Sequence, residues 1–453
     1  MGLTAELASF VAHGQALAPG PEVLRRVRTG FVDTVGVMLA GRQEPVVGIL
    51  RRAIESHGAG SAQSSILLGP QRCASADAAL INATAAHALD YDDVGLQGHP
   101  SAVLVPALLA EGERLHSPGL ALVKAYVVGY ETWAELIDRD RDLHHEKGWH
   151  PTGVFGTVAA AAAVACLRGM AAGPCAHALG LAASMAAGLV ANFGSMAKPF
   201  HAGRAAANGI EAAGLAAAGM TAAGDALEHG SGLLAALSPR GRVDLSTPAT
   251  LLGRRLLAKG LTVKKYPICF AAHRVVDACL DLVAQHDLRP DQVSAISVTV
   301  GRAQANMLRH HRPADSLQAK FSLEFAVAAA LLARRVGLEQ LRDDFVLRPD
   351  LRALFERVSI DVTDTVCEFE PTLAASDRLV LETFDGRRLD SGEVTQARGS
   401  ASHPLTDGEL RAKFMDCSAG IPDREALFDR LGRLDRLDDI VSLQSKTERR
   451  PST

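Results

Sequence analysis

Between Arg168 and Lys198 the sequence carries no charged residue, and that gap restricts the fold more than any other feature. A stretch this long without Asp, Glu, Lys or Arg either crosses a membrane or buries most of itself in protein. It contains Pro174, His177, Asn192 and several glycines, and alanine is the commonest of the remaining residues. Alanine drives insertion into lipid less strongly than leucine or isoleucine. A buried pair of helices is therefore expected, and no membrane partner.

Composition extends this reading to the rest of the chain. Hydrophobic residues make up 48% and aromatics only 4%, which favours close-packed helices over sheets. At 453 residues the chain suits two domains, or one large helical domain with an insertion. The formal charge of -4 is spread without a basic stripe, so no nucleic-acid partner is expected. Seven cysteines form an odd set with no CxxC pair, which predicts a reducing, cytoplasmic setting. The opening "MGLTAELASFVAHG" has no basic n-region, and no signal peptide is expected there.

The texture of the chain changes once. Up to about residue 260, Ala/Leu/Val runs alternate with short Gly/Pro punctuation such as "APGP", "SPG" and "AAGP", the pattern of a helical domain. Beyond "KGLTVKKYP", the stretches "QVSAISVTVG", "RVSIDVTDTV" and "RLVLETFDGRRL" are β-branched, partly alternating and bounded by turn residues, which predicts strands. Helices are expected between them, at about 271–285 and 317–335. The predicted class is mainly α: a large all-helical domain over 1–264, an inserted α+β lid domain over 265–400, and a segment over 401–453 that returns to the helical domain. The last residues, "SKTERRPST", read as a frayed end.

Within the helical part a protic side chain stands directly before proline at three expected helix starts: His99-Pro100, His150-Pro151 and Lys198-Pro199. Proline suits the first helical turn, because its missing N–H costs nothing there. A cation does not suit it, since the helix N-terminus already carries partial positive charge, unless an anion arrives to share the site. A single His-Pro is a turn with a satisfied histidine, and His403-Pro404 is read that way. Three such starts in one Ala-rich domain point instead to a composite anion pocket. Just ahead of the first lie Asp90, Asp92 and Asp93, in "HALDYDDVGLQGHPSAVLVP". Asp90 is expected to be buried at a helix end, where it could orient His99. Asp92 and Asp93 are expected to cap the next helix or to face solvent.

Other motifs fail on chemistry or spacing. "DYDD" matches the acid of proton-initiated terpene cyclases, which need an aromatic-lined cavity that this chain lacks. The histidines of "HHEKGWH" are spaced too widely for a helical zinc face, and the stretch is read as loop. "GSGLLA" follows no strand, and neither a GxSxG elbow nor a Walker A sequence is present.

The blocks "HALDYDDVGLQGHPSAVLVPA", "GWHPTGVFGTVAAAA", "KPFHAGRAAANGIEAAGLA", "KKYPICFAAHRVVDA" and "LQAKFSLEFAVAAAL" together resemble the MmgE/PrpD family, in family order from about residue 30 to 415. Members of that family include 2-methylcitrate dehydratase, cis-aconitate decarboxylase and iminodisuccinate epimerase. The resemblance implies a homodimer, an active site between a helical domain and a lid domain, and chemistry on a small polycarboxylate without metal or organic cofactor. By motif position it implies catalytic roles for Asp90, His99, Lys198 and His273 and a substrate-binding role for His150. Two substrate-binding positions depart from many decarboxylase-like members: Val94 stands where they have threonine and Phe325 where they have tyrosine. Each change removes a hydroxyl able to bind a carboxylate or donate a proton.

Dehydration, decarboxylation and epimerisation share one difficulty, the negative charge that builds beside a carboxylate when a C–H or C–C bond breaks. In this reading Lys198 stabilises that charge while His99 and His273 move protons. A lyase is placed first. An epimerase working by two-base proton transfer comes second and a non-catalytic ligand binder third.

Overall fold

The computed structural model describes residues 2–58, 61–140, 142–368, 370 and 372–444. The expected frayed end at 445–453 lies outside the described residues. The chain is mainly α-helical and divides into two compact units, one running to Val263 and resuming at Leu410, the other Lys264–Glu409. None of the described helices is long and apolar enough to cross a membrane.

The first unit is built on α1 (Leu3–Ala12), α2 (Pro21–Ala40), α3 (Pro45–Ser56), α4 (Ser75–Ala88), α5 (Pro100–Leu115), α6 (Gly119–Asp138), α7 (Pro151–Leu167), α8 (Ala172–Met185) and α9 (Ala197–Ala217). It departs from an all-helical unit at one small antiparallel ribbon, β1 (Ser64–Ser65) with β2 (Arg72–Cys73). Its centre is α7, whose residues are all buried. A helix apolar on every side belongs inside a large core, and its alanine run keeps helix propensity high while leaving room for close neighbours. Next to it, α9 packs against α4 and α7. Glycines set the approach: a Cβ on Gly203 would lie 2.5 Å from the Leu80 carbonyl oxygen of α4, and one on Gly209 2.4 Å from Ala160 Cβ of α7.

The charge-free interval does not form the expected buried helix pair. It holds one helix, α8, buried on a single face through Cys175, Ala178, Leu179, Gly180 and Ala182. An open stretch follows, with Leu189, Phe193 and Met196 exposed. Lack of charge was a poor guide to burial here, because small side chains gain little from leaving water.

The C-terminal segment is tied to the middle of this unit by one buried cation. Lys413, on the helix Asp407–Cys417, forms a short ion pair with Asp33 of α2 and donates to the Tyr91 carbonyl at 2.8 Å. Its Nζ also sits 4.0 Å from the centre of the Tyr91 ring.

The second unit carries a four-stranded sheet in the order β4-β3-β5-β6, with β3 (Val293–Gly301), β4 (Val358–Thr363), β5 (Arg378–Thr383) and β6 (Arg388–Asp390). β3 runs parallel to β4, with Ile296 opposite Val358, and antiparallel to β5, where Ile296 faces Leu381. β5 and β6 form a hairpin. β3, β4 and β5 fall within the three stretches that alternation predicted, and the third stretch turns back to begin β6 as well. Helices His273–His286 and Leu323–Ala333 contribute Val275, Val276, Cys279, Phe325 and Leu331 to one core with Ile296, Val298 and Leu381 of the sheet.

Candidate active site

His99 and His150 are the residues immediately before α5 and α7, each followed by proline in the first helical position. Lys198 lies in the first turn of α9. The residue preceding each of these three helices makes no side-chain cap, and the amino ends of α7 and α9 keep their partial positive charge for another partner. The three side chains reach one cluster. Lys198 Nζ donates to Asp90 Oδ1 at 2.7 Å, and that oxygen is 3.8 Å from His99 Nε2. His87, at the end of α4, links the other members: its ring centre is 4.3 Å from that of His99 and 5.9 Å from that of His150.

The loop between α4 and α5 holds this arrangement in a conformation that most residues avoid. Asp90, Leu96 and Gln97 all have left-handed backbone, with φ of 53°, 52° and 58°. Such non-glycine conformations cost of order 1–3 kcal/mol each, and the surroundings must enforce them. Val94 pairs with Thr262 through its backbone, Trp133 Nε1 donates to the Leu96 carbonyl at 3.1 Å, and the His99 N–H donates to Thr152 Oγ1 at 3.2 Å. Gly98 leaves space for Trp133, whose Cζ2 would be 2.9 Å from an added Cβ.

The three aspartates are buried in the opposite order from that expected. Asp90 keeps a side-chain exposure of 21%, whereas Asp92 and Asp93 are wholly enclosed. Asp93 does cap the next helix, but from inside the core: it accepts from the Ser101 N–H at 3.2 Å and from Ser101 Oγ at 2.7 Å. Asp92 neither caps a helix nor meets solvent. Both its oxygens lie 3.0 Å from His87 Nδ1, and Oδ2 lies 2.9 Å from His99 Nδ1. The carboxylate in hydrogen-bond reach of His99 is thus Asp92, while Asp90 pairs with Lys198.

Burial sets the charge states behind this front. It draws His87 and His145 each down to about 4 and holds His150 far below the usual imidazole range, with nearby cations adding to the effect. Burial also lowers His201, whose Nδ1 is 3.1 Å from His150 Nδ1. Asp92 would be raised by burial, but the His87 and His99 imidazoles outweigh it and keep the carboxyl well below its normal value. Asp93, facing Asp33 and Asp92 as well as a dry environment, is pushed up to about 8.

Sequence reasoning missed His87, Asp92, His145 and His201. His201 follows Lys198 by three residues on α9, a helical spacing that places both on one face. His145 lies in the single turn His144–Lys147, within the stretch read as loop, with its ring centre 6.5 Å from that of His150. In the second unit His273 opens its helix, wholly buried, with ring centres 5.1 Å from Tyr266 and 5.0 Å from Phe270. Phe325 is wholly buried in that unit's core.

His87, Asp90, Asp92 and His99 bring potential metal-ligand atoms within 4.8 Å of one another. The donor set fits a cation poorly. The Lys198 ammonium already neutralises Asp90, and Asp92 already accepts from two imidazoles.

Residues 5–246 match the model of the MmgE/PrpD N-terminal domain and residues 266–431 that of the MmgE/PrpD C-terminal domain. The chain is similar to the cis-aconitate decarboxylase of Mus musculus, 27% identical over 92% of this chain and 87% of the relative. It is similar to that of Homo sapiens, 29% identical over 86% and 82%, and to that of Aspergillus terreus strain NIH 2624, 24% identical over 98% and 95%. With both of its domain models matched in order, the chain belongs to the MmgE/PrpD family.

Proposed function

We propose that this protein is a lyase acting on a small di- or tricarboxylate, by dehydration or decarboxylation through a carbanion-like intermediate and without metal or organic cofactor. The observation that carries the reading is the Lys198–Asp90 pair set 3.8 Å from a histidine at the start of a helix. An ammonium and the amino ends of α7 and α9 suit the substrate's carboxylates and the charge that develops beside them. The relatives' name, cis-aconitate decarboxylase, supports a lyase and a polycarboxylate substrate.

In dehydration a base removes the proton α to a carboxylate, the electron pair forms the double bond, and hydroxide leaves with a proton from an acid. In decarboxylation CO2 leaves and the carbanion takes up a proton. Both routes need a cation beside the carboxylate, which we assign to Lys198, and two proton-transfer groups, which we assign to His99 and His273. Asp90 holds Lys198, and His150 with Val94 and Phe325 completes the binding surface. Epimerisation by two-base proton transfer is the second reading, favoured by the missing hydroxyls at Val94 and Phe325.

We further propose a homodimer and a cytoplasmic location, which suits an odd set of seven cysteines with no CxxC pair. Deuterium incorporation at the α-carbon of candidate di- and tricarboxylates in D2O, followed by NMR, tests the activity. Labelling of at least one compound, unaffected by EDTA and lost in Lys198→Ala, is expected. No labelling of any would leave a binding protein. A new ultraviolet-absorbing double bond separates elimination from epimerisation, and released CO2 marks decarboxylation.

A further inference from the structure

Asp92 takes no part in the chemistry assigned above, yet two buried imidazoles point at it. An ionised carboxylate offers only acceptors, so each imidazole nitrogen facing Asp92 carries its hydrogen. His87 Nδ1 meets both carboxylate oxygens, and His99 Nδ1 meets Asp92 Oδ2 and also the Asp93 carbonyl, each at 2.9 Å. We propose that Asp92 is a positioning residue: one carboxylate that locks His87 and His99 together in the Nδ1–H tautomer and leaves both Nε2 atoms as bare lone pairs.

Two further observations support this assignment. His87 Nε2 is buried and has no hydrogen-bond partner among the described residues, as a bare lone pair directed at a ligand would be. Exposure also divides the cluster into a front and a back. Asp90, Lys198 and His99 keep 21%, 18% and 11% of their side-chain surface, while His87 and Asp92 keep none. The reacting groups therefore lie within reach of a ligand, and the carboxylate that orients them stands behind.

The consequence rests on the lyase reading. With Nδ1–H fixed on Asp92, His99 presents Nε2 toward the Asp90–Lys198 pair and can accept a proton there. Once protonated, it becomes an imidazolium whose charge the Asp92 anion offsets. An asparagine at position 92 keeps the shape but presents one carbonyl and one amide NH2. The imidazole facing the NH2 must give up its Nδ1 hydrogen and carry one on Nε2, where it no longer accepts. The equivalent change in a catalytic triad lowers turnover by ~10⁴ through the wrong tautomer.

The test has two arms. The first needs no substrate: long-range ¹H–¹⁵N correlation on the ¹⁵N-histidine-labelled full chain at about pH 8, with the two rings assigned by their loss in His87→Gln and His99→Gln. Both rings are expected protonated at Nδ1 and bare at Nε2 in the parent protein, and at least one is expected reversed in Asp92→Asn. A bare Nδ1 on either ring of the parent protein overturns the proposal, including the case in which added Zn²⁺ shows those nitrogens to be metal ligands. If Asp92→Asn does not fold, the parent tautomers decide alone. The second arm measures turnover on whichever carboxylate is labelled in D2O. Asp92→Asn is expected to lower kcat ~10²–10⁴-fold and to move KM by less than about threefold. An unchanged kcat overturns the positioning role. Absence of any turnover in the parent protein counts against the lyase reading and leaves the tautomer arm standing.

Discussion

Asp93 is a carboxylic acid whose surroundings favour its protonated form. Burial pushes it up to about 8, and the two hydrogen bonds from Ser101 recover only part of that shift. A folded-state value above the unfolded one, near 4 for aspartate, means that the native protein holds a proton the unfolded chain releases. Stability from this group is therefore full below about pH 4 and falls as pH rises through about 8. Asp93→Asn removes the titration. Its amide oxygen can still accept from the Ser101 N–H, and Ser101 Oγ can turn to donate to Tyr126 Oη, 2.7 Å away. Urea unfolding of parent and variant at pH 5 and pH 8 should show the variant gaining relative stability at the higher pH, on the order of a few kcal/mol. A constant difference between the two pH values would refute it. The sequence made His99, His150 and Lys198 legible because proline marks helix starts. It could not show which loop aspartate faces an imidazole, because the left-handed turns at Asp90, Leu96 and Gln97 redirect the side chains in a way no simple period encodes.

Helix α9 shows how backbone proximity can outweigh propensity. Replacing a glycine inside a helix with alanine ordinarily gains up to about 1 kcal/mol. At Gly209 the added methyl would stand 2.4 Å from Ala160 Cβ and 2.8 Å from the Ala160 carbonyl carbon, in a helix buried on all sides. Main-chain atoms cannot swing away as a flexible side chain could. Gly209→Ala should therefore destabilise the protein by about 1–3 kcal/mol, the usual range for overpacking. Thermal melting checks the sign: a raised melting temperature would contradict the close packing of α9 on α7. The elements themselves were largely legible. β-branched alternation located the strands β3, β4 and β5, and the Ala-rich runs located the helices. The charge-free interval was misread because alanine and glycine are compatible with burial and with exposure alike, and only the packing of α8 on one face distinguishes them.

At the scale of the whole chain the two units carry opposite pH responses. The first contains five histidines lowered mainly by burial, His87, His144, His145, His150 and His201. For each, the unfolded chain binds a proton that the native unit refuses, so stability is present above about pH 6.5 and drains away as pH falls toward 4. The raised acids of this unit, Asp93 and Glu131, oppose the trend but are fewer. The second unit carries two buried acids moved upward, Asp277 and Asp377, the latter to about 7. The stability that these two acids contribute declines as pH rises from about 4 to 7. Both tryptophans, Trp133 and Trp149, belong to the first unit, so their fluorescence follows that unit in the intact chain. Hydrogen exchange at the amides of β3 and β5, resolved by peptide mass, follows the other. Chains with more than one unit need not unfold in a single step. Raising the pH from 5 to 7 should move the tryptophan transition to higher denaturant while the amides of β3 and β5 exchange faster once corrected for intrinsic chemistry. A shift of both probes in the same direction would mean that the units unfold as one block or that their buried groups do not govern their stability.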